Sequence, residues 1–338
     1  MLGLVAMAGV LAVACGSSSA NEPAPSSTVR REATQPAPAN SPTPTATPSS
    51  VTLAAVGDLM LGRSIGDRIE ADGPGVVFDE AINDVLSGAD ITAGNLEMVV
   101  SEFGSPQPKG YTFRAPLEAV AVLKAAGFDV VSQANNHAMD FGRLALLDTG
   151  ENLRASGIEP VGAGADIAAA SRATVVERNG LRIAFVGLVD APAEGPGFSR
   201  DTWEATASRA GVAWADTASV TNAVHTAAAS ADLVVVMLHF GIEYATEPNA
   251  TQQRLAHAAI DAGATLVIGS HPHVLQEVEK YGGGLIAYSL GNFVFDGFDG
   301  SANETAILEV TLSASGVESW KLVPVDIVKN GLPRLREE

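Results

Sequence analysis

The sequence predicts a layered α/β domain in which helices cover a central sheet. From Val51 onward, short apolar β-rich runs alternate with helix-patterned stretches, as expected for buried strands linked by helices. The composition agrees, since 46% hydrophobic residues with 34 glycines and few aromatics are typical of soluble α/β proteins. A chain of 338 residues can also bury a large core. The predicted strands are 52–56, 89–93, 128–132, 182–188, 233–238 and 265–268.

The first 50 residues are predicted to be a leader and a tether. Residues 2–14 are all apolar or glycine, a run too short to span a bilayer but suited to a signal peptide. The sequence before Cys15 resembles a bacterial lipoprotein cleavage site, so residues 1–15 are predicted to be a lipoprotein signal with Cys15 as the lipidation site. An ordinary secretory signal with an incidental cysteine is the alternative. Residues 16–50, rich in Ser, Pro and Thr, are predicted to be a disordered tether.

The folded domain is therefore expected at 51–338, outside the cytoplasm and held to the bacterial cell membrane by a lipid. Two helices within it carry apolar residues at i, i+3, i+4 and i+7. Their stripes are Val220, Ala223, Val224 and Ala227, then Leu255, Ala258, Ala259 and Ala262. His225 and His257 lie beside these stripes, so both are predicted to face solvent.

Beyond Pro272 the pattern changes to antiparallel hairpins. Strands are predicted at 274–280 and 285–290, on either side of three consecutive glycines, and two longer strands flank Ser315-Gly316. The net charge of −19 is spread along the chain without a Lys/Arg cluster, which argues against a nucleic-acid partner. An anionic substrate would therefore need local positive charge, which a bound metal can supply.

Residues with metal-ligand chemistry recur where the predicted strands end. Ligands of open α/β sheets bind outside the carboxyl ends of the strands, so these residues are expected to share one crevice. Each has an ordinary alternative when taken alone, as a turn residue, a helix N-terminal carboxylate or a buried histidine. Together, imidazole, carboxylate and amide groups without a thiolate suit a pair of divalent metals and hydrolytic chemistry. The residues are Asp58, Glu97, Asn136, His137, His239, His271 and His273.

Six motifs in order along the chain resemble the poly-γ-glutamate capsule biosynthesis protein family of the CapA type. The motifs are 56–63, 94–97, 135–142, 239–244, 269–274 and 288–293. This family is similar to the calcineurin-like metallophosphoesterases. The resemblance implies a four-layer fold, with two mixed sheets packed together and flanked by helices. It also implies a centre of two divalent cations, which would be manganese, zinc or iron.

The resemblance also implies a role for each residue. Asp58, Glu97 and His273 would hold the first metal, with Glu97 as the bridge. Asn136, His239 and His271 would hold the second. His137 would be the general acid, and Asp140 would orient it. Arg63 and Glu243 are candidates to contact an anionic or amine-bearing substrate, with simple surface solvation as the alternative.

Two departures leave the function open between two classes. Met60 and Ala138 stand where phosphoesterases usually carry a histidine and an acidic residue. The first hypothesis is a metal-dependent hydrolase that acts on an anionic cell-envelope polymer or a phosphoester and serves poly-γ-glutamate synthesis. The second is a non-catalytic, metal-containing accessory or polymer-binding subunit of a capsule synthesis or export complex whose membrane partners do the chemistry.

Overall fold

The structure is a computed structural model that describes residues 49–195 and 197–337. The predicted signal peptide, Cys15 and nearly all of the predicted tether lie outside the described residues. The first strand begins at Ser50, next to the predicted start of the domain. Among the described helices, none combines the length and the apolar character needed to cross a bilayer.

Strands and helices alternate along most of the chain, as the sequence predicts. The strands are β1 (Ser50–Leu59), β2 (Ile91–Leu96), β3 (Val99–Val100), β4 (Arg114–Ala115), β5 (Val130–Ser132), β6 (Glu159–Val161), β7 (Ala163–Gly164), β8 (Thr174–Arg178), β9 (Leu181–Asp190), β10 (Gly211–Val212), β11 (Leu233–Phe240), β12 (Leu266–Ser270), β13 (Val278–Tyr281), β14 (Gly284–Ala287), β15 (Asn292–Val294), β16 (Glu304–Ser313), β17 (Gly316–Val328) and β18 (Leu332–Leu335). The helices are α1 (Arg63–Asp72), α2 (Glu80–Gly88), α3 (Ala119–Ala125), α4 (Arg143–Ala155), α5 (Ile167–Ala170), α6 (Arg200–Trp203), α7 (Thr217–Ala228) and α8 (Ala250–Asp261), with 3₁₀ turns at Pro74–Val76 and Gly300–Asn303.

Two large mixed sheets organise the domain. The first sheet has the order β18-β17-β16-β1-β2-β5-β6, and β15 also pairs with β1. The second sheet has the order β13-β14-β12-β11-β9-β8. The neighbours β1, β2, β5 and β6 are parallel, whereas β16, β17 and β18 form the antiparallel part predicted for the C-terminal region.

The two sheets pack face to face and helices cover their outer faces. Between the sheets, Leu53 of β1 and Phe185 of β9 belong to one buried cluster. On the outer face of the first sheet, Ile82 of α2 joins a second cluster. On the outer face of the second sheet, Val220 of α7 and Leu255 of α8 join a third. This helix–sheet–sheet–helix arrangement confirms the predicted fold class.

Capping side chains set the starts of three helices in this frame. The Asp79 carboxylate accepts from the Ile82 amide at 3.0 Å, and Asp216 accepts from the Ser219 amide at 2.9 Å. Asn249 caps α8 in the same way. Each satisfies a backbone N–H that has no partner inside the helix.

The buried face of α8 differs from the predicted one. Ala258 and Ala262 are only half-buried, because alanine fits either face of a helix and defines a stripe weakly. The prediction for His257 is also wrong, since its Nε2 lies 2.9 Å from the Glu279 carboxylate and its ring stacks on Tyr281. His225 is exposed as predicted. The buried residues of α8 are Gln252, Leu255, Ala256, Ala259 and Ile260.

The strand predicted at 274–280 is much shorter in the structure. Only Val278–Tyr281 is a strand, and the preceding residues form an irregular loop after β12. That loop carries His271 and His273 at the crevice, and its backbone does not form a strand there.

Candidate metal centre

The predicted ligands meet at the carboxyl ends of the two sheets. Asp58 lies near the end of β1 and Glu97 directly follows β2, while Asn136 lies in the loop after β5. His239 is the penultimate residue of β11, and His271 follows β12. Because β1 pairs with β2 and β11 with β12 in parallel register, the sheet order brings these positions together. All six predicted ligands are buried: Asp58, Glu97, Asn136, His239, His271 and His273.

The carboxylates and His273 form one side of the cluster. Asp58 Oδ2 lies 3.3 Å from His273 Nδ1, and Glu97 Oε1 lies 3.8 Å from His273 Nε2. Ligand atoms of Asp58, Glu97 and His239 all lie within 4.8 Å of one another, so these three form a group able to hold one metal ion. This group combines residues that the family resemblance divides between two metals.

Asn136 and His239 form the other side. His239 Nε2 lies 2.7 Å from Asn136 Oδ1, and His239 Nδ1 lies 3.0 Å from the Ser270 hydroxyl. The rings of His239 and His271 have centroids 4.7 Å apart. The Asn136 amide also donates to the Glu194 carboxylate, which fixes its oxygen toward His239.

Three buried polar atoms in this cluster have no hydrogen-bond partner among the described residues. They are Glu97 Oε1 and both ring nitrogens of His271. Burial of an unsatisfied polar atom costs about 1–3 kcal/mol, and more for a charged one. A divalent cation would satisfy Glu97 Oε1 and the lone-pair nitrogen of His271, so the donor set fits a metal by its own chemistry. Oxygen and nitrogen donors without sulfur suit manganese, zinc or iron.

The two carboxylates have opposite pKa shifts. Burial, followed by the neighbouring charge of Asp58, raises the pKa of Glu97 well above its ordinary value. Burial also acts to raise the pKa of Asp58, but the hydrogen bond and charge of His273 outweigh it and lower that pKa. The pair therefore holds one carboxylate that ionises readily and one whose charge needs a cation.

The imidazoles are prepared as neutral ligands. Burial, with the positive charge of His273 added, lowers the pKa of His271 to about 3. Burial and the neighbouring histidines lower the pKa of His239 well below its ordinary value. A neutral imidazole nitrogen is the form that binds a metal. His273 is the exception, because Asp58 outweighs the effect of burial and raises its pKa.

The His271-Pro272-His273 segment has a strained backbone. His271 has φ of 97° and His273 has φ of 59°, in the left-handed region that residues other than glycine rarely adopt. The His271 amide donates to Asp58 Oδ2 at 3.4 Å, which ties this loop to the first sheet. Such strain concentrates at functional sites, where the surrounding structure maintains it.

Sequence comparison decides the family. The sequence model described as "Bacterial capsule synthesis protein PGA_cap" matches residues 52–297, most of the chain. This chain belongs to that capsule synthesis family. The match confirms the resemblance drawn from the six motifs.

Named relatives agree with the family. The chain is 34% identical over 275 residues to "PGA biosynthesis protein CapA" of Bacillus subtilis (strain 168), covering 80% of this chain and 70% of that protein. It is 32% identical over 288 residues to "Capsule biosynthesis protein CapA" of Bacillus anthracis, covering 84% and 69%. A "Probable polyglutamine synthesis accessory protein" of Mycobacterium tuberculosis is 30% identical over 339 residues, covering 85% and 87%. These matches place the chain in the CapA family of capsule synthesis proteins.

A solved structure supports the fold alone. The crystal structure of a hypothetical protein from Thermus thermophilus superposes with a TM-score of 0.51 at 15% identity, covering 81% of this chain and 99% of that one.

His137 lies at the edge of the cluster of predicted ligands, and Asp140 orients its ring. Its Nδ1 lies 2.6 Å from Asp140 Oδ2, and its Nε2 lies 3.8 Å from Glu97 Oε1. Asp140 is fixed in turn by the Phe113 amide, which donates to it at 2.7 Å. Burial lowers the pKa of His137, although Asp140 opposes this effect.

Lys109 is a residue of this site that sequence reasoning missed. Its side chain is fully buried, with Nζ 2.9 Å from Asp140 Oδ1 and also donating to the Asn136 carbonyl oxygen. The ring of Trp203 lies 5.0 Å from the same Nζ. Lys109 belongs to a loop between strands, and nothing in its local pattern distinguishes it from a solvated lysine.

A layer of asparagines behind the predicted ligands was also missed. Asn95 Nδ2 donates to Asp58 Oδ1 at 2.8 Å, and Asn135 Nδ2 donates to Asn95 Oδ1 at 3.2 Å. Asn292 Oδ1 lies 2.8 Å from His273 Nδ1. Partners of this kind orient ligands and tune their basicity. Each lies inside one of the six motifs, and that position was the available signal.

Arg63 and Glu243 lie at the rim of the crevice. Arg63 is an ion-pair partner of Asp296, and its guanidinium lies 5.4 Å from the ring centroid of Phe113. Phe113 packs in turn on His137, with centroids 4.1 Å apart. Glu243 is exposed, and its charge acts to raise the pKa of Glu97. Within the described part of the chain, neither residue hydrogen bonds to a predicted ligand.

Proposed function

We propose that this CapA-family chain is a metal-dependent hydrolase of the phosphoesterase type. It would act outside the cytoplasm, held to the bacterial membrane through lipidated Cys15, on an anionic polymer or phosphoester in poly-γ-glutamate capsule synthesis. The observation that carries the proposal is the set of buried donor atoms at Glu97 and His271 that have no partners among the described residues. These atoms have the chemistry and the convergence that a metal centre requires.

The proposed ligands follow the two sides of the cluster. Asp58, Glu97 and His273 would hold one cation, and Glu97 would be shared with the second, held by Asn136, His239 and His271. When bound, such a pair supplies a polarised phosphoryl oxygen and a water of lowered pKa. The group of Asp58, Glu97 and His239 supports at least one of these ions.

The protein's own residues would manage the proton. Asp140 accepts the hydrogen on His137 Nδ1, which leaves Nε2 as the atom that exchanges a proton with the substrate. Lys109 balances the charge of Asp140 and holds the backbone of Asn136. Phe113 packs on the imidazole and limits its rotation.

Three observations favour the alternative of a non-catalytic, polymer-binding accessory. Met60 is fully buried, and its sulfur accepts the Gly62 amide at 3.2 Å, so it offers packing where phosphoesterases offer an imidazole ligand. Ala138 is also buried and cannot orient His137 as a carboxylate would. A mycobacterial relative carries the printed name of an accessory protein.

Metal analysis combined with turnover separates these functions. Metal content of the purified protein is measured by mass spectrometry, and hydrolysis of a phosphodiester and of a γ-glutamyl peptide is followed with added manganese or zinc. The hydrolase proposal expects bound metal, and turnover that His137→Ala removes without loss of metal. His225→Ala, which changes an exposed histidine on α7, is the matched control and should retain both. Bound metal with no turnover by the wild type would favour the accessory, and absence of metal would reject both metal-based versions.

A further inference from the structure

Glu194 lies in the loop after β9 and reaches the candidate metal centre from the second sheet. One oxygen of its carboxylate accepts from the Asn136 side-chain amide, and the other lies 3.6 Å from Lys109 Nζ. Glu194 is partly exposed, whereas the two residues that it contacts are buried. It lies outside all six sequence motifs, so sequence reasoning gave it no role.

The loop around Glu194 is anchored on both sides. The Glu194 amide donates to the Phe198 carbonyl oxygen at 3.0 Å, and the Phe198 ring is buried with its centroid 4.8 Å from that of Trp203. Gly197 packs closely on the loop of Lys109, since an added Cβ would lie 2.5 Å from the Pro108 carbonyl oxygen. These contacts fix the Glu194 carboxylate beside Asn136.

The contact decides which end of the Asn136 amide faces the centre. A side-chain amide can present its oxygen, which is a metal ligand, or its nitrogen, which is a donor. Because an ionised carboxylate only accepts, Glu194 selects Nδ2, and Oδ1 then lies 2.7 Å from His239 Nε2. Lys109 donates to the backbone carbonyl oxygen of Asn136 and so fixes the main chain of the same residue.

We infer that Glu194 is a positioning residue that holds the Asn136 amide with its oxygen toward the cation shared with His239. The inference rests on the metal centre of the proposed function and does not require hydrolysis. Without Glu194, the amide would have to give up its reversed orientation each time a metal binds, whereas the wild type is oriented once, on folding. Partners that orient a ligand typically change metal affinity about 10–100-fold.

Manganese binding to the purified chain tests this role, measured by calorimetry and by competition with a chelating indicator. Glu194→Ala should weaken the binding of one manganese ion about tenfold. Glu194→Gln should stay within about threefold of wild type, because its carbonyl oxygen still accepts from Asn136 Nδ2. Glu151→Ala removes an exposed carboxylate from α4 and is the matched control, which should leave the affinity unchanged. Urea unfolding in a chelator should show that all three variants are folded.

An exchange of the two groups tests orientation against charge. Asn136→Asp places a second carboxylate against that of Glu194, and the two repel. Adding Glu194→Gln to this variant supplies an amide that donates to the new carboxylate, so manganese binding should strengthen about tenfold. In the wild-type background the same substitution should not strengthen binding. If Glu194 acted only through its negative charge, Glu194→Gln would weaken binding in both backgrounds.

The outcomes separate this inference from the proposed function. Equal losses in Glu194→Ala and Glu194→Gln, unchanged affinity in Glu194→Ala, or a loss in Glu151→Ala as large as that in Glu194→Ala would each overturn the positioning role. A wild type that binds no manganese would overturn both the role and the metal centre. The expected affinities without turnover of a phosphodiester or a γ-glutamyl peptide would retain the role of Glu194 and reject only the hydrolase. Turnover with an affinity independent of Glu194 would do the reverse.

Discussion

The two sheets supply chemically different halves of the candidate metal centre. The first sheet and its loops provide every predicted oxygen donor, namely Asp58, Glu97 and Asn136. The second sheet and its loops provide every predicted nitrogen donor, namely His239, His271 and His273. The carboxylates thus lie on one wall of the crevice and the imidazoles on the other.

This difference explains why neither half is a site by itself. The oxygen wall contains two buried carboxylates that repel each other, as the raised pKa of Glu97 indicates. On the nitrogen wall, burial keeps the His239 and His271 imidazoles neutral, whereas Asp58 raises the pKa of His273. A divalent cation would relieve the repulsion on one wall and satisfy the lone pairs of the other.

Lys109→Met should have the largest effect on stability. It leaves the buried carboxylate of Asp140 without its cation, and loss of one partner from a buried ion pair costs about 3–5 kcal/mol. Urea unfolding of metal-free protein measures this cost. Lys124→Met on the exposed face of α3 should change stability by less than about 0.5 kcal/mol. Equal losses of unfolding free energy in the two variants would show that the Lys109–Asp140 ion pair does not stabilise the fold.

Glu97→Gln should separate the metal-free from the metal-bound protein. Without metal the variant should be at least as stable as wild type at pH 7, because the high pKa of Glu97 makes its ionised form costly to bury. With manganese at 100 times its dissociation constant, wild type should gain about 2.7 kcal/mol, and the variant should lose most of that gain. Denaturation with and without the metal gives both values. If manganese stabilised the two proteins equally, Glu97 would not be a metal ligand.

His239→Ala and His271→Ala should differ although both remove an imidazole. His239 contacts Asn136 and Ser270 through its two nitrogens, so its loss strands buried polar partners at a cost of about 1–3 kcal/mol. His271 has no hydrogen-bonded ring nitrogen among the described residues, so its loss should cost less in metal-free protein. Both variants should bind metal weakly. The comparison is made by unfolding in a chelator, and a larger cost for His271→Ala would contradict the assignment of one of its ring nitrogens to a cation.

Asp90→Asn should have the smallest effect and none on the metal. The Thr52 amide donates to Asp90 at the amino end of the first sheet and is the main cause that lowers the pKa of Asp90. A lowered pKa stabilises the fold above the ordinary pKa near 4, and this contribution is lost as the pH falls through the lowered value. The variant should be less stable by at most about 1 kcal/mol at pH 6 and nearly equal to wild type at low pH. Loss of metal in this variant would contradict the expectation that the amino end of the sheet does not affect metal binding at the carboxyl end.

Sequence patterns found the ligand positions because those positions are defined locally. The end of a strand is marked by a change from apolar to polar residues. Asp58, Glu97 and His239 could therefore be predicted as ligands without knowledge of their partners. The His-Pro-His triplet was selected for the same local reason. Lys109 could not be predicted as a site residue from the sequence. Its burial depends on Asp140 and Trp203, which lie 31 and 94 residues away in the chain. The prediction that His257 is exposed was wrong for the same reason, since Glu279, which covers it, comes from a distant strand.

By itself, the sequence determined the alternation of strands and helices, the family, and which polar residues end the strands. Only the tertiary structure decided that oxygen donors come from one sheet and nitrogen donors from the other, and that Asn95, Asn292 and Lys109 support them. The reason is physical: residue spacing along the chain specifies which face or end a side chain occupies, whereas its neighbours across a crevice depend on strand order and sheet packing, which no local pattern encodes.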